Sequence, residues 1–336
     1  MRSDLWFNDG NIVLIADVYA FKIHRGQLQR HSEFFQGMFD IPQPEEQDLV
    51  DGCPYVEMLD APDDLYHFLS ALYDGMHYSD PRPAHFARLA AVLRLSAKYL
   101  VPHLHQQCLE RLTLDWPVDL EGWDKRETEA LGSKDYYSPR QYTPHPILII
   151  ELAIELDLRD ILPSAFYDLS RYGPSKIMYG TLGIPSVLVS PSEDPRYVCL
   201  SNQLLVRSLQ GREAGQQFLI DFLVEHVETR QPSPESHPCV QGFQEVYFDI
   251  FRCIGGVSVG RDADPLFTLA QGIDKLMRYG SGGHGEGERA RSLMCGKCRV
   301  ALVEDLKRGR EAAWMSMPGW FGLVEPEEGS KEVDAQ

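Results

Sequence analysis

The sequence has 336 residues, which exceeds the usual size of one compact domain and therefore predicts two. Apolar residues make up 43% of the chain and charged residues 24%, values typical of a globular protein that buries real cores. Lys and Arg number 32 against 50 Asp and Glu, and this formal charge of −18 disfavours nonspecific binding to nucleic acid or to an anionic membrane.

The sequence shows no signal for secretion or membrane insertion. The N-terminal residues MRSDLWFNDG contain no apolar core of a signal peptide, and the apolar run ILIIELAI is too short to span a membrane. The seven cysteines are an odd number at low density, which does not indicate a disulfide-stabilised scaffold. We therefore expect an intracellular protein, cytoplasmic or nuclear, that binds neither membrane nor nucleic acid directly.

The start of the chain predicts a short sheet. Residues 5–7 and 12–15 have the pattern of strands on either side of the tight turn Asn8-Asp9-Gly10. After a second turn near Asp17, residues 19–23 place apolar side chains at every other position, which is typical of a strand with one buried face. Residues 55–59 complete the predicted sheet.

Helices follow these strands. Ser32 is the predicted N-cap of a helix with a dense aromatic face, which we expect to lie in the core. That face consists of Phe34, Phe35, Met38 and Phe39. A second helix starts at Pro62 and ends at Gly75, and two more cover residues 86–97 and 104–112. Residues 3–115 thus predict an α+β domain, a short sheet covered by helices.

The remainder predicts an all-α C-terminal domain. Residues 116–146 are polar and rich in tyrosine without a clean period, so we interpret them as a linker. The helical segments are residues 147–156, 163–172, 202–210, 216–228, 241–254, 265–278 and 298–317. They place the all-α domain at residues 147–325, and residues 326–336 predict an acidic disordered tail.

A set of short motifs runs through the N-terminal domain in a fixed order. They are Asp4-Leu5, Phe21-Lys22-Ile23, His24-Arg25, Leu28, Ser32, Phe34-Phe35, Met38-Phe39, Val56-x-Met58, Phe68-Leu69, Leu72-Tyr73-Asp74-Gly75 and Ala97-Lys98-Tyr99. In this order and at these separations they resemble the BTB/POZ domain family. The whole chain resembles fungal BTB-domain proteins with an uncharacterised helical C-terminal region.

The resemblance implies a non-enzymatic protein-interaction module that self-associates and recruits other proteins as an adaptor or scaffold, with regulation of transcription as one setting. Asp4 and Arg25 match a charged pair that lines the dimer groove in the transcription-factor branch, and Trp6 lies beside Asp4. The plainer interpretation is a solvated surface pair. Only three residues precede Asp4, so we do not expect the N-terminal strand and helix that some family dimers exchange. His24 is expected to be structural.

Two alternatives remain open. One branch of the family binds a cullin scaffold of a ubiquitin ligase through an apolar-x-Glu contact, and here only Pro44 and Glu46 fit that register, without a large apolar side chain. The other alternative is an enzyme with an unrecognised site in the helical domain. Residues 256–260 match GxSxG, but no strand leads into the serine. We therefore predict a turn there, followed by a helix with Asp264 as N-cap and Pro265 at its first position.

A metal site is the one cofactor that the sequence suggests. Cys295 and Cys298 are separated by two residues, a spacing that lets both thiolates reach one ion. His237 and Cys239 offer two further ligands, so the four side chains predict a structural zinc site. The alternative is a pair of ordinary, partly buried thiols.

Overall fold

The computed structural model describes residues 1–42, 48–76, 85–131, 137–141, 143–188, 197–230, 239–246, 264–277 and 293–324. The chain divides into two compact units. The N-terminal unit comprises residues 1–117, 124–148 and 182–198, and the helical unit comprises residues 118–123 and 149–181 with the described residues from Cys199 onward. No helix among the described ranges combines the length and the apolar character needed to cross a membrane.

The N-terminal unit contains a five-stranded sheet in the order β1-β3-β2-β5-β4. The strands are β1 (Arg2–Trp6), β2 (Ile12–Ala16), β3 (Tyr19–Ile23), β4 (Leu49–Val50) and β5 (Cys53–Met58). In the buried centre of the sheet, Leu14 lies opposite Phe21 in the antiparallel β2–β3 pair and opposite Val56 in the parallel β2–β5 pair. The alternating pattern of residues 19–23 correctly placed β3, and the strands predicted at residues 12–15 and 55–59 correspond to β2 and to most of β5. The strand predicted at residues 5–7 overlaps only the end of β1.

The hairpin between β4 and β5 was missed from the sequence. Its two turn residues, Asp51 and Gly52, have φ angles of 54° and 76°. A two-residue hairpin turn of this kind needs positive φ at both positions, and Asp-Gly is among the dipeptides that favour it. We expected only a Pro- and Glu-rich loop here, although Asp51-Gly52 carried the signal.

The predicted α+β architecture is confirmed by the helices of this unit, which are α1 (Arg25–His31), α2 (Glu33–Asp40), α3 (Pro62–Asp74), α4 (Phe86–Lys98) and α5 (Pro102–Asp115). Ser32 is the N-cap of α2, as predicted, because its Oγ accepts a hydrogen bond from the Phe35 N–H at 3.1 Å. Phe35 and Phe39 are buried. The expectation that Phe34 belongs to the core is wrong, since its side chain is 44% exposed at the edge of the buried face.

The stretch expected as a linker, residues 116–146, contains the helix α6 (Leu120–Glu129). Trp116 is fully buried, and the Arg126 guanidinium lies 4.6 Å from the centre of its ring. Tyr137 donates a hydrogen bond to the Glu127 carboxylate at 2.9 Å. Part of this stretch is therefore helical and packed.

A segment near residue 187 also belongs to the N-terminal unit. The Asp63 carboxylate, in the first turn of α3, accepts hydrogen bonds from the Ser186 hydroxyl and from the backbone N–H groups of Val187 and Leu188 at 2.6–3.0 Å. Acidic side chains are favourable in the first turn of a helix. The short strands β6 (Thr181–Leu182) and β7 (Tyr197–Val198) flank this segment and pair with each other.

The second half of the chain is helical, as predicted. Its elements are α7 (Pro146–Glu155), α8 (Leu162–Ser170), α9 (Pro174–Tyr179), α10 (Asn202–Leu223) with a π-helical turn at Val224–Glu228, α11 (Cys239–Val246), α12 (Pro265–Met277) and α13 (Gly296–Trp320). The two helices predicted over residues 202–228 are one continuous helix, α10. The split was wrong because Gly211 is a packing position: a Cβ built there would lie 2.0 Å from the Phe321 ring.

We predict that Gly309→Ala destabilises the helical unit. A Cβ at this position of α13 would lie 2.5 Å from Cε2 of Phe222, a buried ring in the apolar cluster. Overpacking of this kind costs about 1–3 kcal/mol. Gly319→Ala, near the end of the same helix, is the matched control, because a Cβ there meets no atom within 4 Å.

Urea unfolding of the full-length chain checks this pair. Gly309→Ala should lower the unfolding midpoint of the helical unit, whereas Gly319→Ala should leave it unchanged or raise it slightly, since Ala favours a helix over Gly by about 1 kcal/mol. Equal effects of the two substitutions would contradict the packing argument.

Candidate functional site

The predicted interface residues Asp4 and Trp6 lie on β1, at one end of the strand order. Asp4 is exposed, and its Oδ2 accepts a hydrogen bond from the Tyr66 hydroxyl at 3.0 Å. Trp6 is half-buried, with the Arg2 guanidinium 4.4 Å from the centre of its ring. Both side chains therefore lie at the outer edge of the sheet.

Arg25, the third predicted interface residue, connects α1 to the end of α2. Its Nη2 donates a hydrogen bond to the Phe39 carbonyl oxygen at 2.7 Å, and its guanidinium carbon lies 4.7 Å from the centre of the Phe39 ring. The last carbonyls of a helix lack partners within it and favour a cation. Within one chain, Asp4 and Arg25 thus have different partners, and their pairing across two copies stays a prediction.

His24 has the structural role that we expected. Its ring nitrogen Nδ1 lies 2.9 Å from the Tyr73 hydroxyl, which also accepts a hydrogen bond from the His24 backbone N–H at 2.9 Å. The Tyr73 ring stacks on Phe7 at 4.7 Å between centroids. On the other side, the hydrogen bond from His24 lowers the pKa of the Asp9 carboxyl. Sequence reasoning missed Tyr73 as the partner, although it lies in the Leu72-Tyr73-Asp74-Gly75 motif.

The charged residue in the opening strand motif, Lys22, is buried and paired. Its Nζ donates a hydrogen bond to the Asp51 carboxylate at 2.8 Å, and Arg2 reaches the same carboxylate at 3.2 Å. The hydrogen bond between Lys22 and Asp51 raises the pKa of the lysine and lowers that of the aspartate. Asp51 is one of the two turn residues of the missed hairpin, which is why the pair was not foreseen.

Large apolar side chains are exposed along α2 and beside it. Phe34 is 44% exposed, and Ile41, seven residues later, is 61% exposed. Phe34 lies in the first turn of α2, and Ile41 is the residue that follows its last turn. The Phe34 ring lies 5.2 Å from that of Tyr99, and Leu100, the next residue, is 51% exposed. We call Phe34, Ile41 and Leu100 the apolar patch.

Three predicted site residues lie outside the described residues. They are Pro44 and Glu46, the candidate cullin contact, and His237, one candidate metal ligand. The roles of these side chains stay predictions. The same holds for residues 256–260 with their GxSxG pattern.

The other three candidate metal ligands come together. The Sγ atoms of Cys239, Cys295 and Cys298 all lie within 4.8 Å of one another, and none of these cysteines forms a disulfide. Cys239 begins α11, and Cys295 is the N-cap of α13. The sequence predicted that these thiols lie at one site, and the fold brings Cys239 next to Cys295, which is 56 positions later in the chain.

A cluster of ionisable side chains is buried in the helical unit. Asp264 is the N-cap of α12, as predicted, and accepts a hydrogen bond from the Phe267 N–H at 3.0 Å. Its carboxylate also accepts from the Tyr167 hydroxyl and, at 3.2 Å, from Arg171. Burial, followed by the nearby Asp264 charge, raises the pKa of Tyr167 well above its usual value. Arg171 further pairs with Asp168 at 2.5 Å. The Arg171 guanidinium thus lies between two carboxylates, and such paired and hydrogen-bonded buried charges are typical of a structural network.

Comparison with known families gives one match. Residues 9–114 match the family model of the BTB/POZ domain, and this range covers β2 to β5 and α1 to α5 of the N-terminal unit. The match confirms the resemblance inferred from the motifs. The curated proteins and the solved structures yield no match to the chain. The likeness to fungal BTB proteins with a helical C-terminal region stays a prediction.

We predict that Arg25→Ala lowers the stability of the N-terminal unit by about 1–2 kcal/mol, because it removes a charged hydrogen bond and a cation–π contact at the end of α2. Arg30→Ala is the matched control, since Arg30 lies on the same helix and is exposed. Hydrogen exchange in the full-length chain should show faster exchange of the α2 amides in Arg25→Ala only. The same exchange rates in both variants would exclude this structural role.

Proposed function

We propose that this chain, whose residues 9–114 form a BTB/POZ domain, self-associates through its N-terminal unit and recruits other proteins as an adaptor or scaffold. The observation that carries the proposal is the family match, because BTB domains are generally protein-interaction modules rather than enzymes. The matched range contains β2 to β5 and α1 to α5, a sheet with its helices, which supports a folded interaction module.

The edge of the sheet supports self-association. In the strand order, β1 has β3 as its neighbour on one side and ends the sheet on the other. An edge strand presents backbone donors and acceptors that a second chain can pair with. The exposed carboxylate of Asp4 and the half-buried ring of Trp6 lie on this strand. A charge beside an aromatic ring favours a specific contact over unspecific aggregation.

The apolar patch supports the recruitment of partner proteins. About half of each side chain is exposed at Phe34, Ile41 and Leu100. The two other aromatic residues of α2, Phe35 and Phe39, are buried. Exposed apolar side chains mark protein-binding surfaces when they form one patch, and we propose that these three residues contribute to such a patch. A cullin scaffold as partner is a narrower form of the proposal, and it depends on Pro44 and Glu46. Regulation of transcription is one process in which an adaptor of this kind would act.

An enzymatic role receives less support from the described residues. Four buried ionisable side chains of the helical unit bind one another or the start of α12: Tyr167, Asp168, Arg171 and Asp264. A catalytic group must instead reach a substrate. The interaction module is therefore the function that we favour.

Light scattering of the full-length chain tests self-association. We expect a dimer at micromolar concentration, and we expect Asp4→Lys to weaken it about tenfold, which corresponds to about 1.4 kcal/mol. Because Asp4 is exposed and makes one side-chain hydrogen bond, its replacement should leave the melting temperature nearly unchanged.

Glu57→Lys is the matched control, since it makes the same change of charge at an exposed position of β5. It should keep the wild-type dimer affinity. A monomeric wild type would contradict the proposal of self-association. If both variants weakened the dimer equally, net charge rather than the β1 edge would set the dimer affinity.

A further inference from the structure

The thiol cluster of the helical unit has the dimensions of a metal site. A zinc–sulfur bond is about 2.3 Å long, so two thiolates at neighbouring corners of a tetrahedron lie about 3.8 Å apart. The Sγ atoms of Cys239, Cys295 and Cys298 are all within 4.8 Å of one another, which leaves about 1 Å or less of adjustment on binding. A disulfide needs about 2.05 Å and joins only two sulfurs, whereas one ion uses all three.

Backbone donors already point at two of the sulfurs. The Cys295 N–H donates to Cys239 Sγ at 3.2 Å, and the Cys298 N–H donates to Cys295 Sγ at 3.4 Å. Hydrogen bonds of this kind stabilise a thiolate, which is the form that binds a metal. They also hold the sulfurs in place, as the outer partners of metal ligands do.

The cluster lies within the apolar core of the helical unit. Cys239 and Cys298 are buried, and Cys295 is partly buried. Both buried thiols belong to the same apolar cluster as Phe243, Met294 and Leu302. An enclosed position with several thiolates is typical of structural zinc sites, in which the ion fixes the fold and carries out no reaction.

We propose that Cys239, Cys295 and Cys298 bind one soft divalent ion of the zinc class. The ion fastens the start of α11 to the start of α13, across 56 positions of the chain. Each thiol that binds gives up its proton to solvent, and the ion takes the place of the three protons. A tetrahedral site takes one further donor beyond these three thiolates.

Metal content of the full-length chain tests the proposal. The protein is purified in reductant without added metal or chelator, and its zinc is measured by mass spectrometry. We expect about one zinc per chain, with at least about a tenfold loss in Cys239→Ser and in Cys295→Ser. Serine is a good N-cap, so Cys295→Ser keeps the cap of α13 and removes only the thiolate.

Cys199→Ser is the matched control, because Cys199 is an exposed free thiol of the same unit. It should keep the full zinc content. Zinc retained in all three variants, or absent from the wild type, would overturn the site, as would a disulfide between any two of the three cysteines.

A second measurement covers the case in which the serine variants fail to fold. Removal of the metal from the wild type, followed by titration with Co²⁺, should give the intense near-ultraviolet absorption of thiolate-to-cobalt charge transfer and the visible bands of tetrahedral cobalt. Weak bands typical of octahedral cobalt would overturn the proposal even if no variant could be purified.

Discussion

The N-terminal unit depends on the way one residue, Tyr99, joins three of its helices. Tyr99 caps the end of α4, and its hydroxyl donates a hydrogen bond to the Asp60 carboxylate just before α3. Its carbonyl oxygen accepts a hydrogen bond from Oγ of Ser32, at the start of α2, at 2.5 Å. Lys98 binds Asp60 as well, at 2.5 Å. Burial, followed by the hydrogen bond to Asp60, raises the pKa of the Tyr99 hydroxyl. The Lys98 and Tyr99 positions of the Ala97-Lys98-Tyr99 motif thus link the end of α4 to the starts of α2 and α3.

The same joint decides which aromatic side chains of α2 are core and which are surface. Ser32 fixes both the first residue and the rotation of the helix, because its oxygen binds Tyr99 on one side and the Phe35 N–H on the other. With this rotation, Phe35 packs on the Tyr99 ring at 4.8 Å, while Phe34 and Ile41 stay exposed. The exposure of Phe34 and the burial of Phe35 thus both follow from the way in which Ser32 and Tyr99 orient α2.

The sequence predicted what local patterns encode. The alternation of residues 19–23, the Asn8-Asp9-Gly10 turn and the N-caps at Ser32 and Asp264 were all identified, since each depends on neighbours within a few residues. One error was local, since the Asp51-Gly52 hairpin turn was overlooked. Two others arose where a distant contact decides the structure. The sequence predicted separate helices at residues 202–210 and 216–228, yet Gly211 accommodates the Phe321 ring within one continuous helix. The partner of Arg25 was equally hidden, because the Phe39 carbonyl becomes available only once α1 and α2 have packed.

Three helices of this protein begin in the same way. In each, the N-cap residue also forms a hydrogen bond with a residue far away in the sequence. Ser32 caps α2 and binds Tyr99, Asp264 caps α12 and binds Tyr167, and Cys295 caps α13 while its N–H binds Cys239. A cap sets where a helix begins. When the cap also has a tertiary partner, the start of that helix is fixed relative to the core of its own unit. The sequence identified Ser32 and Asp264 as caps but not their partners, whereas it grouped Cys295 with Cys239 without identifying Cys295 as a cap. Each local pattern thus showed one half of the arrangement, and the fold was needed to join the two halves.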